Sequence, residues 1–206
     1  MKIIVDQISK SFNDKVIFKN VSFTVNSHEP LAVIGKNGSG KSTLLKCLSG
    51  ILLPDSGTVK FTENDIPSAP HITSTLTAFC APYTELIEEF NVSEMLHFHT
   101  NFVKPLSGFS LSDIITILDF SKHIHVPLKD FSSGMMQKLK IGLCILFSQP
   151  VLIFDEPCTN LDNSAVTLYK QLLKDYVYDR LLIIASNNHP DEIFNCTQTI
   201  NIEAFK

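Results

Sequence analysis

Two short stretches of this chain carry residue types and spacings that could do phosphate chemistry. The first is Gly35-Lys36-Asn37-Gly38-Ser39-Gly40-Lys41-Ser42. Glycines at this spacing let a backbone curl closely around a polyphosphate with its N–H groups turned inward. Lys41 can reach the terminal phosphates as a mobile point charge, and the Ser42 hydroxyl can ligate Mg²⁺. An apolar run, Leu31-Ala32-Val33-Ile34, precedes the loop, and a helix-like segment from Thr43 to Ser49 follows it. That strand–loop–helix order is the context a phosphate-binding loop requires, and the helix adds the positive end of its dipole. The second stretch is Val151-Leu152-Ile153-Phe154 running directly into Asp155-Glu156-Pro157. An apolar strand that ends in two acids is costly unless the acids meet a cation or a reactant. The phosphate loop supplies both, so Asp155 is expected to hold Mg²⁺ and Glu156 to polarise a water for attack on a γ-phosphate. A helix-capping pair is the plainer alternative, and the upstream loop outweighs it.

These residues need a scaffold. Residues 2–8 and 21–25 read as strands, and in Val21-Ser22-Phe23-Thr24-Val25 apolar and polar residues alternate as in a half-exposed sheet. Asp55-Ser56-Gly57 reads as a turn that opens a further strand, Thr58-Val59-Lys60-Phe61. Leu31–Ile34, Val151–Phe154 and Leu181–Ile184 are continuous apolar runs suited to parallel strands buried on both faces. From about 85 to 147 the spacing turns helical, with Met135, Leu139, Leu143 and Leu146 on one stripe and Lys138 and Lys140 outside it. The expected fold is α/β: a P-loop NTPase core with a mostly parallel sheet, a small N-terminal antiparallel β sheet and a helical lobe inserted between about 84 and 148. In such an open sheet, ligands sit at the carboxyl ends of the strands.

Bulk properties narrow the class. The 206 residues suit one domain, or one domain with a lobe inserted. No apolar run approaches the ~18 residues of a membrane span, and the acid at Asp6 comes too early for a signal peptide. Five cysteines, with no Cys-x-x-Cys pair, read as small apolar residues in a reducing cytosol. A net charge of −4 and the lack of any basic run argue against nucleic acid as a partner. Charged residues are only 18% of the chain, which hints that a partner covers some surface. His97-x-His99 and His123-x-His125 cannot share a helix face at i, i+2, so they read as surface or packing residues.

Between the two stretches lies Phe131-Ser132-Ser133-Gly134-Met135, and after the acids comes Asn160-Leu161-Asp162. Together with residues 35–42 and 155–157, these resemble the ATPase subunit of an ABC transporter over nearly the whole chain. Ser132-Ser133-Gly134 stands where that family has its LSGGQ signature, and other P-loop ATPases lack this element. A Ser-Ser-Gly run at a helix N-terminus also offers hydroxyls, N–H groups and a favourable dipole to an anion. The resemblance implies a single domain over 1–206, with a nucleotide-binding core of 1–83 and 149–206 and a helical lobe of 84–148. It implies ATP and Mg²⁺ as ligands, with Phe12 stacking on the adenine. Gly35, Lys36, Asn37, Gly38, Ser39, Gly40, Lys41, Ser42 and Thr43 would cradle the phosphates, and Ser42 and Asp155 would hold the metal. Ser132, Ser133, Gly134 and Asp162 would serve the nucleotide held by a second subunit, in a homodimer or a heterodimer with a similar ATPase. A membrane permease is the implied partner, which places the chain in the cytoplasm against the inner face of the cell membrane. The segment Tyr83-Thr84-Glu85-Leu86-Ile87-Glu88-Glu89-Phe90 is the expected docking surface, with apolar anchors rimmed by acids. A non-transport ABC ATPase on a soluble assembly or nucleic acid is the alternative, but such proteins carry tandem units, coiled coils or basic extensions not seen here. A small-molecule kinase is disfavoured by the signature and by Glu156.

The chain departs from the family pattern at several places. The signature has Phe131 for leucine, Ser133 for the first glycine and Met135 for glutamine. His28 stands where a glycine is usual, in a turn that needs positive φ, which histidine tolerates. Cys80-Ala81-Pro82 aligns so that Tyr83 replaces a glutamine near the attacking water. Ala185-Ser186 leads to Asn187 where the family has its switch histidine, with His189 two residues on as the other candidate. Glu156, Asn187 and Tyr83 are therefore the expected catalytic set. An amide and a phenol donate hydrogen bonds without an imidazole's proton exchange, so slow basal hydrolysis is expected.

Overall fold

The computed structural model describes residues 1–13, 15–63, 66–69, 73–177 and 179–206. In chain order its elements are β1 Lys2–Phe12, β2 Lys15–Asn26, β3 Leu31–Ile34, α1 Lys41–Leu48, β4 Ser56–Glu63, β5 Ile66–Pro67, α2 Thr73–Leu76, β6 Thr77–Cys80, α3 Val92–Thr100, α4 Leu111–Ile117, α5 Ser133–Ile145, β7 Val151–Asp155, α6 Asn163–Tyr176, β8 Leu181–Ser186 and β9 Gln198–Asn201. They condense into two compact units. One comprises Met1–Phe79, Pro150–Glu156 and Tyr178–Lys206; the other comprises Cys80–Gln149 and Pro157–Val177. The second unit thus starts four residues before the expected lobe and also takes in 157–177, because α6 lies against α5.

The first unit holds two sheets. One is antiparallel at its β1–β2, β1–β4 and β4–β5 pairings and runs β2-β1-β4-β5. β1 and β2 are longer than their apolar alternation indicates, since bulges interrupt it. The register slips between Val5 and Ile8, where Gln7 adopts φ 49°, and Asn20 on β2 adopts φ 51°. Gly57 is required here, because a Cβ on it would lie 2.4 Å from the Gln7 backbone. The other sheet runs β6-β7-β8-β3-β9, with β7–β8, β8–β3 and β3–β9 parallel. β7 and β8 are buried at every position, which accounts for their unbroken apolar sequence. One apolar core, including Phe18, Leu31, Leu44, Phe61, Ile153 and Ile183, fills this unit.

The second unit is built on helices. α3 and α4 begin with reciprocal capping boxes, Asn91 with Glu94 and Ser110 with Asp113. α5 touches the end of α4 so closely that a Cβ on Gly142 would meet Leu118 Cδ1 at 2.3 Å. Its stripe is as expected at Leu139, Leu143 and Leu146, all buried, but Gln137 and Lys140 are buried as well. Lys140 therefore does not sit on an outer face. Residues 83–90 form no helix; turns at 82–83 and 88–89 flank an irregular stretch, and the segment is tied down by Leu128 N–H to Phe90 O at 2.7 Å and Lys129 N–H to Glu88 O at 2.9 Å. Among the described residues no helix is long and apolar enough to cross a membrane.

Candidate functional site

Register brings the chemistry-bearing residues of the first unit to one edge of the parallel sheet. Ile34 pairs with Ser186, and Asp155 pairs with Ala185. Gly35, Glu156 and Asn187 therefore leave neighbouring strands at the same carboxyl edge. From β3 the chain enters the glycine loop, where Gly38 adopts φ 74° and Gly40 φ 109°. A Cβ on Gly35 would meet Ser39 Oγ at 2.7 Å, so the loop closes on itself without room for a side chain there. Gly40 is the N-cap of α1 and supplies no side-chain cap, leaving the first N–H groups of that helix for an outside acceptor.

Lys41 is buried. Its Nζ donates to Gly35 O at 2.9 Å and Lys36 O at 3.3 Å, and stands 3.5 Å from Glu156 Oε1. Asn37, Gly38, Gly40, Lys41, Ser42, Thr43 and Glu156 face one pocket of about 210 Å³. Lys36 is exposed and outside that lining, and the buried Ser39 hydroxyl has no hydrogen-bond partner among the described residues. Asp155 is buried at the end of β7. Glu156 turns sharply after it at φ 46°, a strained angle for glutamate, fixed by donation of its N–H to Ala185 O at 2.9 Å. A hydroxyl and a carboxylate on adjacent elements are hard oxygen donors that suit Mg²⁺, while the loop N–H groups and the ammonium suit a polyphosphate. The donor set fits the ligands that the sequence implies.

Other expected residues sit further out. Phe12, at the end of β1, is 46% exposed and lies outside that pocket's lining, with Lys10 Nζ 5.3 Å from its ring centroid. Lys10 also pairs with Asp55 at 2.6 Å, and its hydrogen bond holds the Asp55 carboxyl below the usual carboxylate range. His28 does take the left-handed turn, at φ 70°. Asn187 and His189 are both exposed, and the loop carrying them is organised by residues that the spacing did not single out. The Ser186 hydroxyl accepts from His189 N–H at 2.9 Å and donates to the buried Glu192 carboxylate.

In the second unit, Ser132, Ser133, Gly134 and Asp162 come together around a pocket of about 560 Å³, with Asn160 and Lys138 beside them. Ser132 caps α5 by accepting Met135 N–H at 3.2 Å. Gly134 admits no side chain, because a Cβ would meet the Asn160 carbonyl at 2.7 Å. Asp162 is more committed than expected. Its Oδ1 accepts from Ala165 N–H at 2.8 Å and from Ser164 Oγ at 2.7 Å, capping α6. Those bonds, the backbone one foremost, hold its pKa below the ordinary value. Tyr83 is outside this pocket's lining and 48% exposed. The buried pair Gln137 and Lys140 was the main omission. Its signal was a lone charge in the apolar run from Leu139 to Phe147.

Comparison with known proteins agrees with this geometry. The chain is 30% identical over 180 residues to the cytochrome c biogenesis ATP-binding export protein CcmA of Rhizobium johnstonii, covering 86% of this chain and 83% of that protein. It is 29% identical over 170 residues to the Nod factor export ATP-binding protein I of Sinorhizobium fredii, covering 81% of this chain and 50% of that one. An ABC transporter ATP-binding protein from Pyrococcus furiosus shares the fold over the full length of both chains, at 20% identity and a TM-score of 0.82. The family model described as ABC transporter matches residues 18–159, from β2 through the acid pair. That match spans well over half of the sequence, and the chain belongs to the ABC transporter family as an ATP-binding, ATP-hydrolysing subunit.

Proposed function

We propose that the chain hydrolyses MgATP in a dimer with composite sites and passes the resulting motion to a membrane permease. One observation carries this reading: Glu156 Oε1 lies 3.5 Å from Lys41 Nζ, so the phosphate cradle and a carboxylate base share one pocket. In the binding step, the N–H groups of residues 35–43 and the Lys41 ammonium receive phosphate oxygens, and Phe12 offers its exposed ring to the adenine. Ser42 and Asp155 would hold Mg²⁺, which supplies charge neutralisation at the phosphates when bound. Glu156 takes a proton from the attacking water. Asn187, at the end of β8, donates its amide toward the γ-phosphate, and Tyr83 donates its phenol in place of the family's glutamine.

Ser132, Ser133, Gly134 and Asp162 serve a second subunit's nucleotide, either an identical chain or a similar ATPase. The permease docks at 83–90, where Glu85, Glu88 and Glu89 are exposed around partly buried Leu86, Ile87 and Phe90. The chain then sits at the inner face of the cell membrane. Both named relatives are export proteins, which supports export as the direction. Closure on ATP would drive the permease through differential affinity for its two states.

Glu156→Gln tests this. It is expected to keep ATP binding, to lower hydrolysis by roughly 10²- to 10⁴-fold, the range for a positioned acid–base group, and to trap a nucleotide-bound dimer. Phosphate release, with size-exclusion light scattering in the presence and absence of MgATP, reads both effects. Wild-type turnover in the variant would overturn the assignment.

A further inference from the structure

Helix α5 turns two polar side chains inward where its sequence is otherwise apolar. Gln137 and Lys140, three residues apart and so on one face, are 2% and 7% exposed. Gln137 Nε2 donates to Pro157 O at 3.0 Å and lies 3.9 Å from Cys80 Sγ. Lys140 Nζ donates to Pro82 O at 2.9 Å and to Ala81 O at 3.3 Å. The two side chains thus grip the residue after Glu156 and the two residues before Tyr83, from the helix whose N-terminus carries Ser132-Ser133-Gly134.

A buried ammonium held by neutral carbonyls is costly. Burial pulls its pKa below that of an ordinary lysine, against the opposing pull of the Cys80 thiol and the Glu85 carboxylate. A neutral amide or an ordered water could satisfy the same carbonyls at less cost. What the long ammonium adds is reach and a rigid two-point anchor. Tyr83 follows this anchor directly in the chain, so the backbone held at Ala81 and Pro82 fixes where its side chain starts.

We infer that Lys140, with Gln137 beside it, is a positioning residue that ties the Cys80–Tyr83 segment to the signature helix, so that Tyr83 and Ser132-Ser133-Gly134 move as one body during turnover. This rests on the role given to Tyr83 above. Lys140 contributes to the rate of hydrolysis and not to ATP affinity, since the phosphate loop belongs to the other compact unit.

The test uses the full chain, with steady-state phosphate release at varied MgATP and hydrogen exchange of residues 80–86. Lys140→Met is expected to lower kcat by about 10- to 100-fold, the cost of a misplaced catalytic group, with KM unchanged and exchange across 80–86 faster. Lys140→Arg, which keeps the charge and the donors, is expected to restore both. If Lys140→Met does not fold, Lys140→Gln must show the same split. Unchanged exchange in Lys140→Met overturns the anchor. Faster exchange with wild-type kcat, while Tyr83→Ala is slow, overturns the coupling and leaves the Tyr83 assignment intact. Wild-type kcat in Tyr83→Ala overturns that assignment and the inference with it. A fall in kcat and melting temperature in both Met and Arg variants overturns the inference in favour of a purely structural lysine.

Discussion

Helices α1 and α5 each begin with a motif on which the proposed function depends, yet their first turns are finished in different ways. α1 starts at Gly40, with φ 109°, no side-chain cap and no acid in its first turn. α5 starts at Ser132, in extended backbone, with the Ser132 hydroxyl accepting Met135 N–H. α3, α4 and α6 follow the second pattern, capped by Asn91, Ser110 and Asp162. A capped helix start satisfies part of its own N–H demand. An uncapped one leaves that demand to a ligand. In the proposed function the phosphate loop is a site whose hydrogen-bond inventory is completed by its ligand, and binding should then stabilise its unit. The signature turn has one of its N–H groups, that of Met135, already taken by Ser132 without a ligand.

The contrast can be broken at its strongest point with Lys41→Ala. Loss of one charged donor to phosphate is expected to weaken ATP binding on the order of 10- to 100-fold, the range of a charge-assisted hydrogen bond, without unfolding the chain. Calorimetric titration measures it, and unchanged affinity would remove Lys41 from the site. Ser132→Ala acts on the other helix and in the other currency. It is expected to cost about 1 kcal/mol of stability, the usual penalty for a lost serine cap, and to slow turnover. Denaturant midpoints and phosphate release report the two effects. The smallest effect is in acid. The carboxyls of Asp113, in the capping box of α4, and Asp162, the cap of α6, are held below the usual carboxylate range, chiefly by their Ser110 and Ala165 hydrogen bonds respectively. Their contribution is whole above the unfolded value and is lost as pH falls through the lower folded value. The protection factor of the Ala165 amide should therefore fall, as pH drops below the usual carboxylate range, more than that of Leu44, since α1 has no acid in its first turn to lose. Equal responses would show that the acid caps add nothing.

The same contrast explains what the sequence could disclose. The phosphate loop and Asp155-Glu156 were legible because each is a local pattern, with glycine spacing and an apolar strand ending in acids. β7 and β8 were legible as unbroken apolar runs because both of their faces are covered. Bulges at Gln7 and Asn20 hid the true lengths of β1 and β2, since each shifts the inward and outward alternation by one residue. Lys140 was misplaced because periodicity assumes that charge faces water, and its carbonyl partners are 58 and 59 residues away. Residues 83–90 carry apolar spacing compatible with a helix, but the Phe90 and Glu88 carbonyls accept from Leu128 and Lys129, which no local pattern announces. Asp162 was assigned from the family resemblance to an interface, and its capping bonds to Ser164 and Ala165 became visible only with α6 in place.

The strand order of the parallel sheet also bears on how the chain is made. β3, which launches the phosphate loop, is flanked by β8 and β9. Both neighbours come well over a hundred residues later in the sequence, so Leu31, Ala32 and Val33 cannot find these sheet partners until β8 and β9 have been translated. At about 5–20 residues per second, the stretch from Ile34 to Leu181 takes roughly 7–30 s to synthesise. Throughout that interval an apolar strand with both edges unpaired is available to any other nascent chain or to a holdase. The glycine loop is thus translated well before the strands that hold its sheet in place. The chain's yield in the cell should depend on chaperone supply more than its final stability alone would indicate.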